Sequence, residues 1–273
     1  MTKRLLIIDS NLYASRLYHD LIRTDNIADI DTLTKVIKDR LSWMLSRHCP
    51  THVVSVYDVG KSTYRTAIYP NYKKNRKHNQ ERELFIRYFR TVIESSGVCC
   101  ISSEGVEADD IVATIVNRRM DIFGENIATV IDSSDKDFRQ LVSGSCSLFI
   151  REKKWLYTQN AFVSYYHFAP NRFPLFLALF GDVSDSITPV LNKAPLESKY
   201  EHLKGIFEMV ARCHDQDSLL DWSWEHYADH AMAKKVINNA DKLDRNIKLV
   251  TLLNNIDISE LTADRMDICH IQR

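Results

Sequence analysis

Nine acidic residues carry the chemistry open to this chain: Asp9, Asp58, Glu107, Asp109, Asp110, Asp135, Asp137, Asp182 and Asp185. Asp9 closes the apolar run Leu5-Leu6-Ile7-Ile8, and Asp58 directly follows His52–Tyr57. Glu107, Asp109 and Asp110 come soon after Val98–Ile101, and Asp135 and Asp137 soon after Ile127–Ile131. Each of these four runs reads as a buried strand. In an open parallel sheet, ligands bind in the crevice beyond the carboxyl ends of the strands. Four segments therefore deliver acids to one edge, and Asp182 and Asp185 arrive from the start of a helical region. Taken singly, each acid has a plainer role. Acids at a helix start suit the macrodipole and capping. Ser134 with Asp137 has the form of a capping box with Asp in place of Glu or Gln, and Asp182 and Asp185 suit a turn. Taken together, nine converging carboxylates repel one another unless cations are present. An all-oxygen donor set suits Mg²⁺ or Mn²⁺ rather than zinc. Two such ions can activate water and stabilise the leaving oxygen of a phosphodiester.

The bases are placed to match. The 273 residues have a net charge of +0, but from Lys61 to Arg90 nine Lys/Arg stand against only Glu81 and Glu83. From Glu104 to Asp110 there are four acids and no base. A basic stretch beside an acidic cluster suits an enzyme acting on a polyanion, with the bases holding phosphate and the acids holding metal. Within the basic stretch Tyr64, Tyr69 and Tyr72 interleave with Lys61, Arg65, Lys73, Lys74, Arg76, Lys77 and Arg82. Interleaved aromatic and basic residues suit single-stranded nucleic acid. Lys61, Arg65, Tyr72, Lys74, Lys77 and Arg82 are the candidate substrate contacts.

The elements that must position these residues alternate. After the first strand, Asp31–His48 has helical spacing, and after the second, Glu81–Ser95 forms an amphipathic helix. Glu107–Phe123 reads as a helix and Lys136–Val142 as a short one. Leu148–Ile150 and Trp155–Tyr157 can form a hairpin. The pattern predicts an α/β fold, a central mostly parallel sheet flanked by helices. Beyond about Gln159 the pattern turns helical: Ala161–Phe168, Arg172–Phe180, Lys199–Cys213, and Glu225 to about Asn254. The expected organisation is an α/β core over 1–158, with a basic segment at 61–95, and a helical region over 159–273 packed on it.

No apolar run approaches the roughly 20 residues of a membrane span, and the N-terminal apolar run is too short for a signal peptide. Six cysteines show no CxxC pair and no zinc spacing. A cytoplasmic protein is expected, in the host cytoplasm if it is phage-encoded. His226 and His230 stand i, i+4 on a predicted helix, with His214 upstream, but no further ligand motif accompanies them.

At the acidic and basic residues the sequence resembles the 5′→3′ exonuclease/flap endonuclease family, which includes phage 5′-nucleases and the 5′-nuclease domain of bacterial DNA polymerase I. The matching stretches are LLIIDSN (5–11), VYDVGKSTYR (56–65), YPNYKKNR (69–76), GVEADD (105–110), SSDKDFRQLV (133–142) and GDVSD (181–185). The resemblance implies the PIN-like fold of those nucleases. It implies a first metal site held mainly by Asp9, Asp58, Glu107, Asp109 and Asp135, with Asp110, Asp137, Asp182 and Asp185 completing it and a neighbouring site. It places Lys73 and Arg76 at the scissile phosphate, makes Asp135 the first carboxylate to test, and matches residues 73–95 to the family's arch over the active site. The implied partner is DNA at 5′ ends, flaps or duplex ends, with RNA–DNA hybrid as a further substrate. The departure lies in 186–205, where family members carry a glycine-containing helix–hairpin–helix. No glycine lies between Gly181 and Gly205, so that segment is degenerate. Glycine matters there because backbone must approach phosphate closely. Lys193, Lys199 and Lys204 are candidates for substitute phosphate contacts, with plain surface lysines as the alternative.

Two rivals remain. A haloacid-dehalogenase-type phosphatase also places Asp at strand ends, but it needs a nucleophilic DxD, and the run here is Asp9-Ser10-Asn11. A non-catalytic nucleic-acid-binding relative would keep the acids for structure and bind without turnover.

Overall fold

The central strand, β1 (Arg4–Asp9), is buried from Leu5 to Asp9 and carries side chains into both faces of the sheet. Leu5 and Ile7 join one apolar cluster, Leu6 and Ile8 the other. That is the signature of a parallel strand covered on both sides. The computed structural model describes residues 3–23, 29–76, 78–191, 200–228 and 230–271. Lys77, Lys193 and Lys199 lie outside these residues, as does much of the degenerate hairpin segment, 192–199.

After β1 come α1 (Ser10–Arg23) and α2 (Ile30–His48), then β2 (His52–Val56), α3 (Thr63–Ile68), α4 (Gln80–Ser95) and β3 (Cys99–Ile101). α5 (Ala108–Asn117) and α6 (Arg119–Phe123) lead to β4 (Ala128–Asp132), which is followed by a 3₁₀ turn at Lys136–Leu141. β5 (Cys146–Ile150) and β6 (Trp155–Tyr157) close the sheet. The strand order is β3-β2-β1-β4-β5-β6, parallel throughout except for the antiparallel β5–β6 pair. The chain first builds outward from β1 through β2 to β3, then crosses back to β4 on the other side. The switch point falls at β1, and Asp9 is its last residue.

α1, α2 and α4 cover one face, with Tyr13 against Phe89 and Tyr18 against Phe85. α5 and the helices that follow cover the other. These are α7 (Gln159–Tyr166), α8 (Phe173–Phe180), α9 (Tyr200–Arg212), α10 (Gln216–Glu225), α11 (Ala231–Asn238) and α12 (Ala240–Val250). The second cluster runs unbroken from Leu5 and Ile7 through Ile111 and Phe138 to Phe162, Phe176, Phe207 and Leu249.

Three expectations need correction. α1 was not anticipated, although its Tyr13, Ala14, Leu17, Tyr18 and Leu21 have helical spacing and are buried. The helix expected over Glu107–Phe123 breaks at Arg118 (φ −94°, ψ 11°), and Gly124 ends the second piece in the left-handed region. The long helix from Glu225 divides into α11 and α12 at Asn239, and α10 ends at Glu225. His226 and His230 therefore flank a turn. His226 Nδ1 is 2.7 Å from the Trp222 carbonyl, and its ring stacks on Trp222, so the pair does not form an i, i+4 metal site. Among the described residues no helix is long and apolar enough to cross a membrane.

Candidate active site

Asp9 is nearly sealed at the end of β1, accepting hydrogen bonds from Ser133 Oγ at 2.7 Å and from the Leu12 N–H at 3.2 Å. Ser133 Oγ also accepts from the Asp135 N–H at 3.0 Å, so one hydroxyl ties the end of β1 to the loop after β4. Asp58, beyond β2, accepts from Asn11 Nδ2 at 2.9 Å and from the Ala108 N–H at 2.6 Å. The first turn of α5 is thereby pinned to the β2 edge. Glu107 occupies the N-cap position of α5 but makes no capping bond. Its carboxylate faces Tyr72, Lys73 and Arg65 instead. Asp135 caps the 3₁₀ turn through the Asp137 N–H at 2.9 Å. The expected Ser134–Asp137 capping box is replaced by this bond, and Ser134 points towards Glu152.

Crowding shows in the protonation energetics. Burial, then the nearby charges of Asp135 and Asp58, push Asp9 up to about 7. Asp109 is raised far above the usual carboxylate range by burial and by Asp135, Asp9 and Asp58. Burial, Asp135, Asp182 and Asp185 push Asp137 up to about 7. Oxygens of Asp137, Asp182 and Asp185 lie within 4.8 Å of one another. The structure thus brings Asp9, Asp58, Asp109 and Asp135 into mutual electrostatic reach, and places Asp137, Asp182 and Asp185 as a second group beside Asp135.

The turn that carries Asp182 and Asp185 depends on Gly181. Its φ is +64°, and a Cβ there would sit 2.4 Å from the Ile187 carbonyl oxygen. Asp182 Oδ1 accepts from the Ser184 N–H at 2.8 Å, and the Lys73 N–H donates to the Asp185 carbonyl at 3.0 Å. The basic loop and the acidic turn are therefore joined through main chain. Arg76 reaches Asp185 at 2.8 Å, and Lys73 rests on Glu107 with Asp185 at 3.9 Å. Lys61, Lys74 and Arg82 line a cleft of about 600 Å³ that Asp58, Glu107, Lys73 and Arg76 share.

Three sequence assignments change. Arg65 is buried, not open to substrate: it grips Asp110 in a fork at 2.6 and 2.8 Å and lies 3.0 Å from Glu107. The oxygens of Asp110 are taken up by Arg65 and by the Leu253 N–H (2.8 Å), so it makes a structural ion pair. Tyr72 is 9% exposed, and its hydroxyl lies between Glu107 (3.0 Å) and Asp185 (3.1 Å) as a donor to the acid cluster. Three residues were missed. Asn11 and Ser133 hold Asp58 and Asp9. Lys136 sets its ammonium on Asp182, 3.6 Å from Asp137. Burial works to raise Asp182, but Lys136 and Ser184 outweigh it and hold the carboxyl below its ordinary value. All three missed residues lie inside motif stretches already singled out, where attention to acids alone passed over them.

This sheet order, with an acid cluster beyond the strand ends, has counterparts among known proteins. The 5′-3′ exonuclease N-terminal resolvase-like domain matches residues 4–167, and the chain belongs to that family. It is 33% identical over 225 residues to DNA polymerase I of Streptococcus pneumoniae, a match covering 76% of this chain and 25% of the polymerase. The chain spans about a quarter of that relative's length. It is 27% identical over 212 residues to the flap endonuclease Xni of Shewanella denitrificans, covering 76% of this chain and 81% of that one. Among solved structures it superposes on a bacteriophage T5 protein co-crystallised with metal ions (TM-score 0.73, 18% identity, 92% and 90% of the two chains). The T5 flap endonuclease complex with DNA and metal ions gives a TM-score of 0.69 at 19% identity, covering 92% and 89%. The mostly parallel six-stranded sheet is the fold of those nucleases.

Proposed function

We propose that this protein is a divalent-metal-dependent 5′-nuclease that hydrolyses DNA phosphodiesters from 5′ ends or flaps, with RNA–DNA hybrid as a second substrate, in replication, repair or primer removal. The observation that carries the reading is the convergence of acids from the ends of β1, β2 and β4, the start of α5 and the Gly181 turn. Burial and mutual repulsion push Asp9 and Asp137 up to about 7, a protonation cost that cations would relieve. The donor set is all carboxylate, which fits Mg²⁺ or Mn²⁺. Asp9, Asp58, Glu107, Asp109 and Asp135 would hold one ion, and Asp137, Asp182 and Asp185 a second. Bound there, the ions would supply an activated water and charge neutralisation for the leaving oxygen. The T5 relative was crystallised with metal ions and with DNA, which supports both parts of the reading.

The chain's own residues have separable roles. Lys61, Lys74 and Arg82 would hold the backbone of an incoming strand in the cleft they line. Lys77, outside the described residues, would extend that basic path. Lys73 and Arg76 would exchange their carboxylate partners for the scissile phosphate, where a Lys point charge and an Arg fork neutralise charge on the phosphoryl oxygens. Tyr72 would orient Glu107 and Asp185 from behind. Hydrolysis leaves a 5′-phosphate and a 3′-hydroxyl. The phosphatase rival finds no nucleophilic pair, because Asn11, two residues after Asp9, donates its amide to Asp58.

The test uses 5′- and 3′-end-labelled single strand, blunt duplex, 5′ flap and RNA–DNA hybrid, each with Mg²⁺, Mn²⁺ or chelator. Metal-dependent cleavage from the 5′ end is the expected result. Binding of every substrate without cleavage, by folded protein with metal present, would replace the enzyme with the binding-only relative.

A further inference from the structure

The main chain leaving α12 turns extended at Thr251 (φ −75°, ψ 125°) and runs as a strap between two elements that carry the acids. Successive N–H groups of extended chain point to opposite sides, so those of Leu252 and Leu253 face different elements. On one side the Leu253 N–H donates to Asp110 Oδ1 at 2.8 Å and the Ile256 N–H to Thr114 Oγ1 at 3.2 Å, both on α5. On the other, the Leu252 N–H donates to Gln140 Oε1 at 3.1 Å, in the 3₁₀ turn that begins at Asp135. The Gln140 amide nitrogen donates back to the Val250 carbonyl at 3.1 Å and to the Asp137 carbonyl at 2.9 Å. Arg65 adds bonds to the Leu249 carbonyl at 2.8 Å and the Thr251 carbonyl at 3.2 Å while gripping Asp110.

We propose that this strap, residues 251–256 with the last carbonyls of α12, is a tie that fixes the spacing between the acids of α5 and the acids of the 3₁₀ turn, with Gln140 as the positioning residue through which it acts. The inference rests on the metal-centre reading above. Asp109 and Asp135 set like charges on the two elements that repel each other, and the strap opposes their separation alongside the apolar packing of Ile111 and Phe138. The strap does so with main-chain groups from a segment more than a hundred residues away from both elements. The side-chain bonds of Gln140 all go to main chain. It holds the Asp137 carbonyl and the strap together, and so acts on ion binding through Asp137.

The test is Mn²⁺ binding by electron paramagnetic resonance on the full chain without nucleic acid, with thermal unfolding measured alongside. Gln140→Met keeps the length of the side chain and removes every bond it makes to the strap. Loss of groups that orient ligands costs about 10–100-fold in metal affinity, and a loss of about tenfold is expected. Ile258→Val, at a buried position beyond the strap, should lower Tm and leave Mn²⁺ affinity at the wild-type value. Thr114→Val removes the Ile256 bond from the α5 side of the tie with little change of shape and should weaken Mn²⁺ binding in the same direction, so it decides the matter if Gln140→Met does not fold. Wild-type affinity in these two tie variants, or affinity that falls in step with Tm in all three, overturns the proposal. A wild-type protein that takes up no Mn²⁺ overturns the metal-centre reading instead, and the tie with it.

Discussion

Asp135 shows how one carboxylate can hold structure and chemistry together. Its Oδ1 caps the 3₁₀ turn, while its charge raises both Asp109 and Asp137. Asp135→Asn keeps an oxygen for the cap and removes the charge. Since loss of a mere orienting group already costs about 10–100-fold, this variant is expected to cleave at under about one hundredth of the wild-type rate with an unchanged circular dichroism spectrum. Full activity would remove Asp135 from the metal site. A second expectation concerns pH. Asp9 and Asp137 rise from 3.8 to about 7 on folding, so the folded chain binds more protons than the unfolded one between those values. With chelator present, stability should therefore fall as pH rises from about 4 to about 7. Mg²⁺ competes with those protons, so the gain in Tm on adding it should be larger at pH 8 than at pH 5. Melting curves across that range decide it, and a metal-induced gain that is flat with pH would contradict the crowded-acid picture.

Elements repeat the lesson with different physics. Strand identities and the acids beyond them were legible because Leu5–Asp9 is a short apolar run ended by an acid, while Asp58 follows His52–Val56 by two residues and Asp135 follows Ala128–Asp132 by three, a pattern that needs no partner to be read. The β5–β6 hairpin was legible for a similar reason. α3 was not, because its six residues owe their place to Arg65, whose partner Asp110 is 45 positions away. A buried arginine and an exposed phosphate-binding arginine look alike in a sequence, and only the fork onto Asp110 separates them. The same long-range pairing hid the true role of Asp110, and Tyr72 was misread because its hydroxyl partners come from two other segments. Arg65→Met should therefore act on stability. Removing one member of a buried ion pair costs about 3–5 kcal/mol, because the other charge is left uncompensated. Urea unfolding should show a loss of about that size, and Arg65→Met with Asp110→Leu should recover part of it. A variant of normal stability with weakened DNA binding would return Arg65 to the substrate.

At the scale of the whole molecule, the division into a core over 1–158 and a helical region over 159–273 makes a testable claim about folding. The larger apolar cluster does not stop at residue 158. Phe138 and Ile111, fully buried, share it with Phe162, Phe173, Phe176 and Phe207 from the helical region, and with Leu249 and Leu252 at the strap. Residues near the C-terminus also return to the sheet, where the Ile268 N–H donates to the Thr51 carbonyl and Asp267 bridges to His52. Cutting at 158 would expose the apolar surface that α7 to α12 cover, where each large side chain left in water costs about 1.5–3 kcal/mol. Net stabilities of domains are only about 5–15 kcal/mol, so a few such side chains suffice to unfold the fragment. A 1–158 polypeptide is accordingly expected to lack dispersed amide resonances, to be digested rapidly by protease and to bind no Mn²⁺, since Asp182, Asp185 and the strap are gone with the cut. If that fragment instead gave a dispersed spectrum and a cooperative melt, the sheet would be an autonomous domain and the helical region an appended one. The boundary read from the sequence would then be a physical boundary as well as a change of pattern.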